Sequence, residues 1–299
     1  MDHLPSGSSI LQNEPLAKHT SYRIGGPAQL MAFPQDEADL QFLSAQLRNK
    51  KIPYAILGNG SNVLAPDEGF PGLIISTKEL YANLLHFSGG YVEVGAGVLN
   101  ARLLRASSEL GLGGIFFLSG VPGNLGGAVF MNAGTGLGWI QDRLEEVTSF
   151  SLSTGLHVHE KSSLRYAYRE QFFLPEDGVI LSAKLQLLSG DAPTIKAELV
   201  ESVKKRKLAQ PIELPSCGSV FRNPPGKNAW QLIADAGLRG HKEGGARFSE
   251  KHCNFIVNEG GACAADVASL VAMAKREVKA KCGVELQEEI VMLKPRYLE

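Results

Sequence analysis

Residues 58–62 read Gly58-Asn59-Gly60-Ser61-Asn62, and residues 120–127 read Gly120-Val121-Pro122-Gly123-Asn124-Leu125-Gly126-Gly127. The first of these loops directly follows the apolar run 53–57. A glycine has no Cβ, so backbone N–H groups around it can close on an anionic ligand. One such loop reads equally well as a tight turn between strands. Two together, bearing Asn59, Ser61, Asn62 and Asn124 beside the glycines, suit a large ligand with a pyrophosphate. A later turn, Cys217-Gly218-Ser219-Val220-Phe221-Arg222-Asn223-Pro224, sets a serine where chemistry would accompany binding.

Working outward from the first loop, the chain has βαβ rhythm. Strand material covers 22–33 with a turn at Gly25-Gly26. A helix over 37–50 follows from Leu40, Phe42, Leu43 and Leu47, and short apolar strands lie at 53–57 and 72–76. Residues 1 to about 18 are expected to be a loose arm. Beyond Tyr91 the pattern becomes strand-rich: a strand at 91–95, a helix at 99–110, then strands at 147–152, 156–159 and 179–187. A helix over 197–208 precedes Pro211 and Pro215, which break the chain. The last unit has helices at 229–236 and 265–281, the second capped by Gly283, and strands at 254–257 and 284–292. The expectation is an α+β protein divided at 1–80, 81–198 and 199–299.

Composition narrows the function classes. Lys plus Arg is 30 and Asp plus Glu is 31, for a net charge of −1, without the basic excess of a nucleic-acid binder. The run Lys204-Lys205-Arg206-Lys207 reads as a solvated helix face. The four cysteines, Cys217, Cys253, Cys263 and Cys282, have neither metal-ligand nor disulfide-framework spacing. They are expected to be free thiols, Cys217 as a small buried residue. His157 and His159 share a strand face without a third ligand, so no metal is expected. The N-terminal stretch lacks the apolar segment of a signal peptide, and no run approaches a membrane span, which points to the cytosol. Gly95-Ala96-Gly97 begins like a Rossmann fingerprint, but Asn100 stands where the third glycine should be. The acidic ribose partner about 20 residues on is also missing. No phosphate-binding GxxxxGK[ST] loop occurs.

Seven blocks in order carry a resemblance: residues 19–26, 57–62, 120–133, 166–169, 218–224, 249–258 and 283–290. With them the chain resembles the UDP-N-acetylenolpyruvoylglucosamine reductases. The resemblance implies a vanillyl-alcohol-oxidase-type FAD-binding region in two parts, 1–80 and 81–198, and a C-terminal α+β substrate-binding domain, 199–299. It implies FAD and NADPH as cofactors and a UDP-sugar enolpyruvate as substrate. NADPH reduces the flavin, and the flavin N5 passes hydride to C3 of the enolpyruvyl group to give UDP-N-acetylmuramate, a peptidoglycan precursor. The implied flavin contacts are Gly58, Asn59, Gly60, Ser61, Asn62, Gly120, Pro122, Gly123, Asn124, Gly126, Gly127, Ala128 and Asn132.

Hydride addition at C3 builds negative charge toward C2 and the carboxylate, so the site must hold that charge and deliver a proton. The resemblance assigns the proton to Ser219, the charge to Arg169 and a catalytic carboxylate to Glu289. Lys207 and Asn223 match substrate-binding positions. Gln171 departs from the family's serine there, and the short stretch between Arg169 and Lys207 marks the subtype without an inserted tyrosine loop. Strand alternation raises a tension: Val284, Leu286, Ile290 and Met292 share a face with Glu288, not Glu289. A bulge would resolve it. His252 is expected to be structural. The alternatives are a flavin oxidase of the same fold that uses oxygen and a non-catalytic flavin- or nucleotide-binding module.

Overall fold

The computed structural model describes residues 3–298. Its first unit is a four-stranded sheet, β1 (Ile10–Pro15), β2 (Pro27–Ala32), β3 (Tyr54–Leu57) and β5 (Phe70–Ser76) in the order β1-β2-β5-β3. The two-residue β4 (Val63–Leu64) lies outside this sheet. Helix α1 (Glu37–Lys50) starts where the Asp36 carboxylate accepts the Asp39 N–H, and it ends at Lys51 in the left-handed region. The segment expected to be a loose arm is partly β1, which pairs antiparallel with β2. Only Ile10 of β1 is fully buried. The strand therefore shows no apolar alternation and is held mainly by backbone pairing.

The second unit is a five-stranded antiparallel sheet. Its strands are β6 (Leu85–Ser88), β7 (Tyr91–Gly95), β8 (Leu144–Ser151), β9 (Gly155–Glu160) and β10 (Gly178–Gln186), ordered β9-β8-β10-β7-β6. Leu40, Leu43 and Leu47 of α1 join Val92, Phe117, Val147 and Leu185 in one core, so the two units are packed as one body. Helix α2 (Asn100–Glu109) precedes the second glycine loop, and the short α3 (Leu125–Phe130) grows out of that loop. Gly95 and Gly97 serve packing here. A Cβ on Gly95 would stand 1.9 Å from the Tyr81 carbonyl oxygen, and one on Gly97 would stand 2.6 Å from that of Lys78. Helix α4 (Ala192–Ala209) is capped by Asp191 and packs on α2. The expected division after residue 198 falls inside this helix.

The third unit holds α5 (Ala229–Asp235), α6 (Ala264–Cys282) and a small sheet of β11 (Lys242–Glu243), β12 (Ala246–Phe248) and β13 (Ile256–Asn258). Gly283, at φ +67°, ends α6. Tyr22, Ile24 and Leu64 of the first unit lie in its core. Residues 284–290 are not the regular strand expected. They run beside the serine turn, with Gln287 O accepting from Arg222 N (2.9 Å). The N–H groups of Glu289 and Ile290 both point to Val220 O, at 2.8 and 3.3 Å. Two consecutive donors on one carbonyl shift the side-chain phase, as a bulge does. The chain then forms β14 (Val291–Met292), which pairs in parallel with β4 of the first unit. Among the described residues, no helix is long and apolar enough to cross a membrane.

Asp67, in the first unit, accepts the N–H groups of Ala264 (2.7 Å) and Ala265 (3.1 Å) at the start of α6. These donors have no partner inside the helix, and a carboxylate also suits the positive end of its dipole. Asp67→Ala should cost about 1 kcal/mol and lower the thermal midpoint by a few degrees, read by differential scanning calorimetry.

Candidate active site

The three units meet around a cavity of about 1130 Å³, a little above the roughly 300–1,000 Å³ usual for small-molecule sites. Both glycine loops form its wall: Gly58, Asn59, Gly60, Ser61 and Asn62 from the first, and Gly120, Pro122, Gly123, Asn124, Gly126, Gly127 and Ala128 from the second. The loops clasp one another, since the Ser61 hydroxyl donates to Pro122 O at 3.1 Å. A dinucleotide fits this wall. A Cβ built on Gly127 meets nothing within 4 Å, and one on Gly58 meets only the Thr77 hydroxyl at 3.9 Å. Bare backbone therefore faces the cavity at both positions. Gly126 has a different reason to be glycine: its Cβ would stand 3.0 Å from that of Ala96. The buried Asn124 braces the second loop by donating to Gly97 O at 2.6 Å.

Arg169 sits at the tip of a hairpin formed by Tyr166–Ala167 and Glu170–Gln171, at φ +60°. A non-glycine residue in that region is strained, and such strain gathers at functional sites. The guanidinium is held from several sides. Its Nε donates to Glu289 Oε1 at 2.6 Å, its Nη1 to Asn132 O at 3.4 Å and its Nη2 to Gly134 O at 3.1 Å. Its Cζ lies 5.1 Å from the Trp139 ring centre and 5.2 Å from that of Tyr168. Gln171 accepts the N–H groups of Phe173 and Leu174 and so closes the turn after the hairpin.

Glu289 lines the cavity, whereas Glu288 is exposed and pairs with Lys275 at 3.0 Å. The motif, not the alternation, marks the inward carboxylate. Burial raises the Glu289 carboxyl above the usual carboxylate range, and the neighbouring Arg169 cation offsets that only in part. The Asn62 amide donates to Glu289 O at 2.8 Å, which joins the first glycine loop to this residue. Ser219 lies next to Val220, whose carbonyl holds Glu289 N, and it lines the same cavity. Among the described residues its hydroxyl has no side-chain hydrogen bond, unlike Ser21, which donates to Gly60 O and Ser216 O.

Other expected residues are arranged differently. Asn132 does not line the cavity: its amide donates to Gln141 Oε1 (2.8 Å) and Ala167 O (3.0 Å), which props the Arg169 hairpin. Asn223 also stands off the wall, with its side-chain oxygen accepting Ala229 N at 2.9 Å and its own N–H donating to the Tyr168 hydroxyl. Lys207 lines the cavity, and Lys251 Nζ fixes its carbonyl at 2.7 Å. The basic run is not uniformly a solvated face. Arg206 turns inward, donates to Gln210 Oε1 and Ser119 O, and has its pKa lowered by burial and by Arg169. Its signal was in the sequence: Leu199, Val203, Arg206 and Gln210 recur at helical spacing and all line the cavity. Cys217 is buried and burial pushes its thiol up to about 12, in keeping with a small packed residue. Burial also keeps the His252 pKa low, and the ring lies edge-on to Phe255. Among the described residues no His, Cys, Asp and Glu cluster could hold a metal.

Residues 28–159 match the family model of an FAD binding domain, and residues 210–293 match that of the UDP-N-acetylenolpyruvoylglucosamine reductase C-terminal domain. A UDP-N-acetylenolpyruvoylglucosamine reductase of Trichlorobacter lovleyi is 42% identical over 284 residues, 95% of this chain and 93% of that protein. One of Geobacter sulfurreducens is 42% identical over 282 residues, 94% and 93% of the two chains. The chain belongs to this reductase family. The crystal structure of the Thermus caldophilus reductase superposes with a TM-score of 0.79 at 34% identity, covering 96% of this chain and 99% of that one. The likeness to the reductases thus spans the FAD-binding region and the C-terminal domain together.

Two measurements test the Arg169 surroundings of this reductase. Trp139→Leu removes one aromatic face and should lower kcat about 5- to 10-fold with flavin content unchanged, while Trp139→Phe should keep most of the rate. The raised Glu289 pKa sets the sign of a pH effect. A carboxyl raised by folding stabilises below its ordinary value, and that contribution is lost as pH rises through the folded pKa. The unfolding free energy of Glu289→Gln minus that of wild type, from urea titrations, should therefore increase as pH rises from 4.5.

Proposed function

We propose that this chain reduces the enolpyruvyl group of UDP-N-acetylglucosamine enolpyruvate to give UDP-N-acetylmuramate, with NADPH as reductant. The observation that carries this reading is the joint of Arg169, Glu289 and the Ser219 turn on the wall that also holds both glycine loops. That combination suits an anionic enol ether beside a flavin. When bound, FAD supplies the hydride, accepted from NADPH and released from N5. Charged reactants of this kind, a nucleotide sugar and NADPH, belong to the cytoplasm.

The protein's own part is positioning, charge and a proton. Arginine has five N–H donors. Three are used by Glu289, Asn132 and Gly134, which leaves two for a carboxylate. Arg169 thus binds the enolpyruvyl carboxylate and stabilises charge as C3 receives hydride. Glu289 fixes the guanidinium's direction. The Ser219 hydroxyl delivers the proton to C2. A serine is a weak acid, so the step depends on placement against a strongly basic carbanion or enolate carbon. Lys207 lies on the wall as a cation for the nucleotide diphosphate, and Asn223 shapes the rim through Tyr168 and Ala229.

Ser219→Ala should separate the half-reactions in anaerobic stopped-flow. Flavin bleaching by NADPH should continue at a near-normal rate. Reoxidation by the enolpyruvyl substrate should slow by about 10²–10⁴-fold, the usual loss on removing a placed acid. Equal reoxidation rates would reduce Ser219 to a turn residue. Arg169→Lys keeps the charge but loses the two-pronged grip. It should retain flavin and lose most of its turnover in the same assay.

A further inference from the structure

The cavity wall does not end at Glu289. Val291, Met292, Leu293, Lys294 and Arg296 line it as well. This tail is pinned along the first unit. Val291 N donates to Asn62 O at 2.9 Å and Leu293 N to Leu64 O at 3.1 Å. Further on, Arg296 and Tyr54 exchange both backbone hydrogen bonds, at 2.8 and 2.9 Å. Leu293 packs on the core of the first unit, and Leu298 packs on the core shared with the second.

Arg296 also reaches across. Its guanidinium donates to the carbonyl of Glu176, in the segment that leads into β10. One residue thus joins Tyr54 of the first unit to Glu176 of the second, and Ala55, Leu174 and Val179 beside these anchors line the cavity. From Glu289 to Arg296 the chain takes seven residue steps, which at ~3.3 Å each when extended span up to roughly 23 Å. That is the scale of an extended dinucleotide. Val291 and Met292 are apolar residues left 41% and 44% exposed on this wall.

We infer that residues 291–296 are a clasp over the flavin dinucleotide, with Lys294 and Arg296 closing on its adenylate half. The inference rests on the proposed function, which puts the reacting ring beside Glu289 and Ser219 at the start of the tail. The phosphates and adenosine then extend toward the two cations at its other end. Val291 and Met292 offer apolar surface to the ring system between them.

The test compares two flavins on the full chain stripped of its cofactor. FAD has the adenylate half, and riboflavin 5′-phosphate lacks it. In the double variant Lys294→Ala/Arg296→Met, both backbone bonds to Tyr54 can persist. Titration followed by flavin fluorescence should show the Kd for FAD raised at least about tenfold, with the Kd for riboflavin 5′-phosphate within about twofold of wild type. A chain ending at Leu293 should release FAD faster from the loaded protein by a similar factor. Unchanged FAD affinity, or equal losses for both flavins, would overturn the clasp. A wild-type chain that binds neither flavin would instead overturn the cofactor reading beneath it.

Discussion

The Glu289–Arg169 pair is the joint on which the arrangement depends. Three segments that are far apart in sequence meet at Glu289, one on its carboxylate and two on its backbone. The Arg169 hairpin comes from the second unit, Asn62 from the first, and Val220 and Glu289 from the third. The pair is not there chiefly for stability. A buried ion pair contributes little net, because desolvation cancels most of the attraction, whereas removing one partner costs about 3–5 kcal/mol. Burial of Glu289 raises its carboxyl in spite of the neighbouring Arg169 cation, the direction that desolvation gives. What the pair supplies is direction: a guanidinium with a strained backbone, two aromatic faces and three acceptors has one available orientation.

Glycine answers three separate constraints around the same cavity. Gly58 and Gly127 leave bare backbone toward the ligand space. Gly126 lets the second loop settle onto Ala96, and Gly95 lets residue 81 cross β7. Gly60, at φ +67°, combines a left-handed turn with a crossing, since its Cβ would stand 2.1 Å from His19 O. A glycine motif read from sequence cannot separate these cases. The fingerprint-like Gly95-Ala96-Gly97 and the true cavity loops look alike until the neighbouring chain is in place.

Local signals explain which parts of the structure were legible. Helix α1 carried its apolar spacing and an aspartate cap, and α6 carried a capping glycine, so both could be read from residues alone. The β1 strand could not, because its one buried residue leaves no pattern and its partner lies more than ten residues away. In the site, Ser219, Arg169 and Glu289 were visible through the ordered blocks, and the structure brings them to one wall. The phase of Glu289 was illegible because it is set by one carbonyl accepting two N–H groups, a tertiary event. Arg206 was obscured by its neighbours. Lys204 and Lys205 are solvated, so the charge run hid a stripe that periodicity would have exposed.

The reductase family's chemistry makes the position of the joint intelligible. In the proposed reaction the carboxylate grip of Arg169 and the proton of Ser219 act on neighbouring atoms of one substrate, although the two residues belong to different units. A misplacement of about 1 Å can cost ~10²-fold in rate. Fixing Arg169 and Ser219 independently would leave their separation to the packing of two units. Here both refer to one residue, Arg169 through the Glu289 side chain and the Ser219 turn through Val220 O, which accepts the Glu289 N–H. Asn62 ties the flavin loop to the carbonyl of that same residue. Small shifts of one unit against another must then strain short hydrogen bonds before they separate Arg169 from the Ser219 turn.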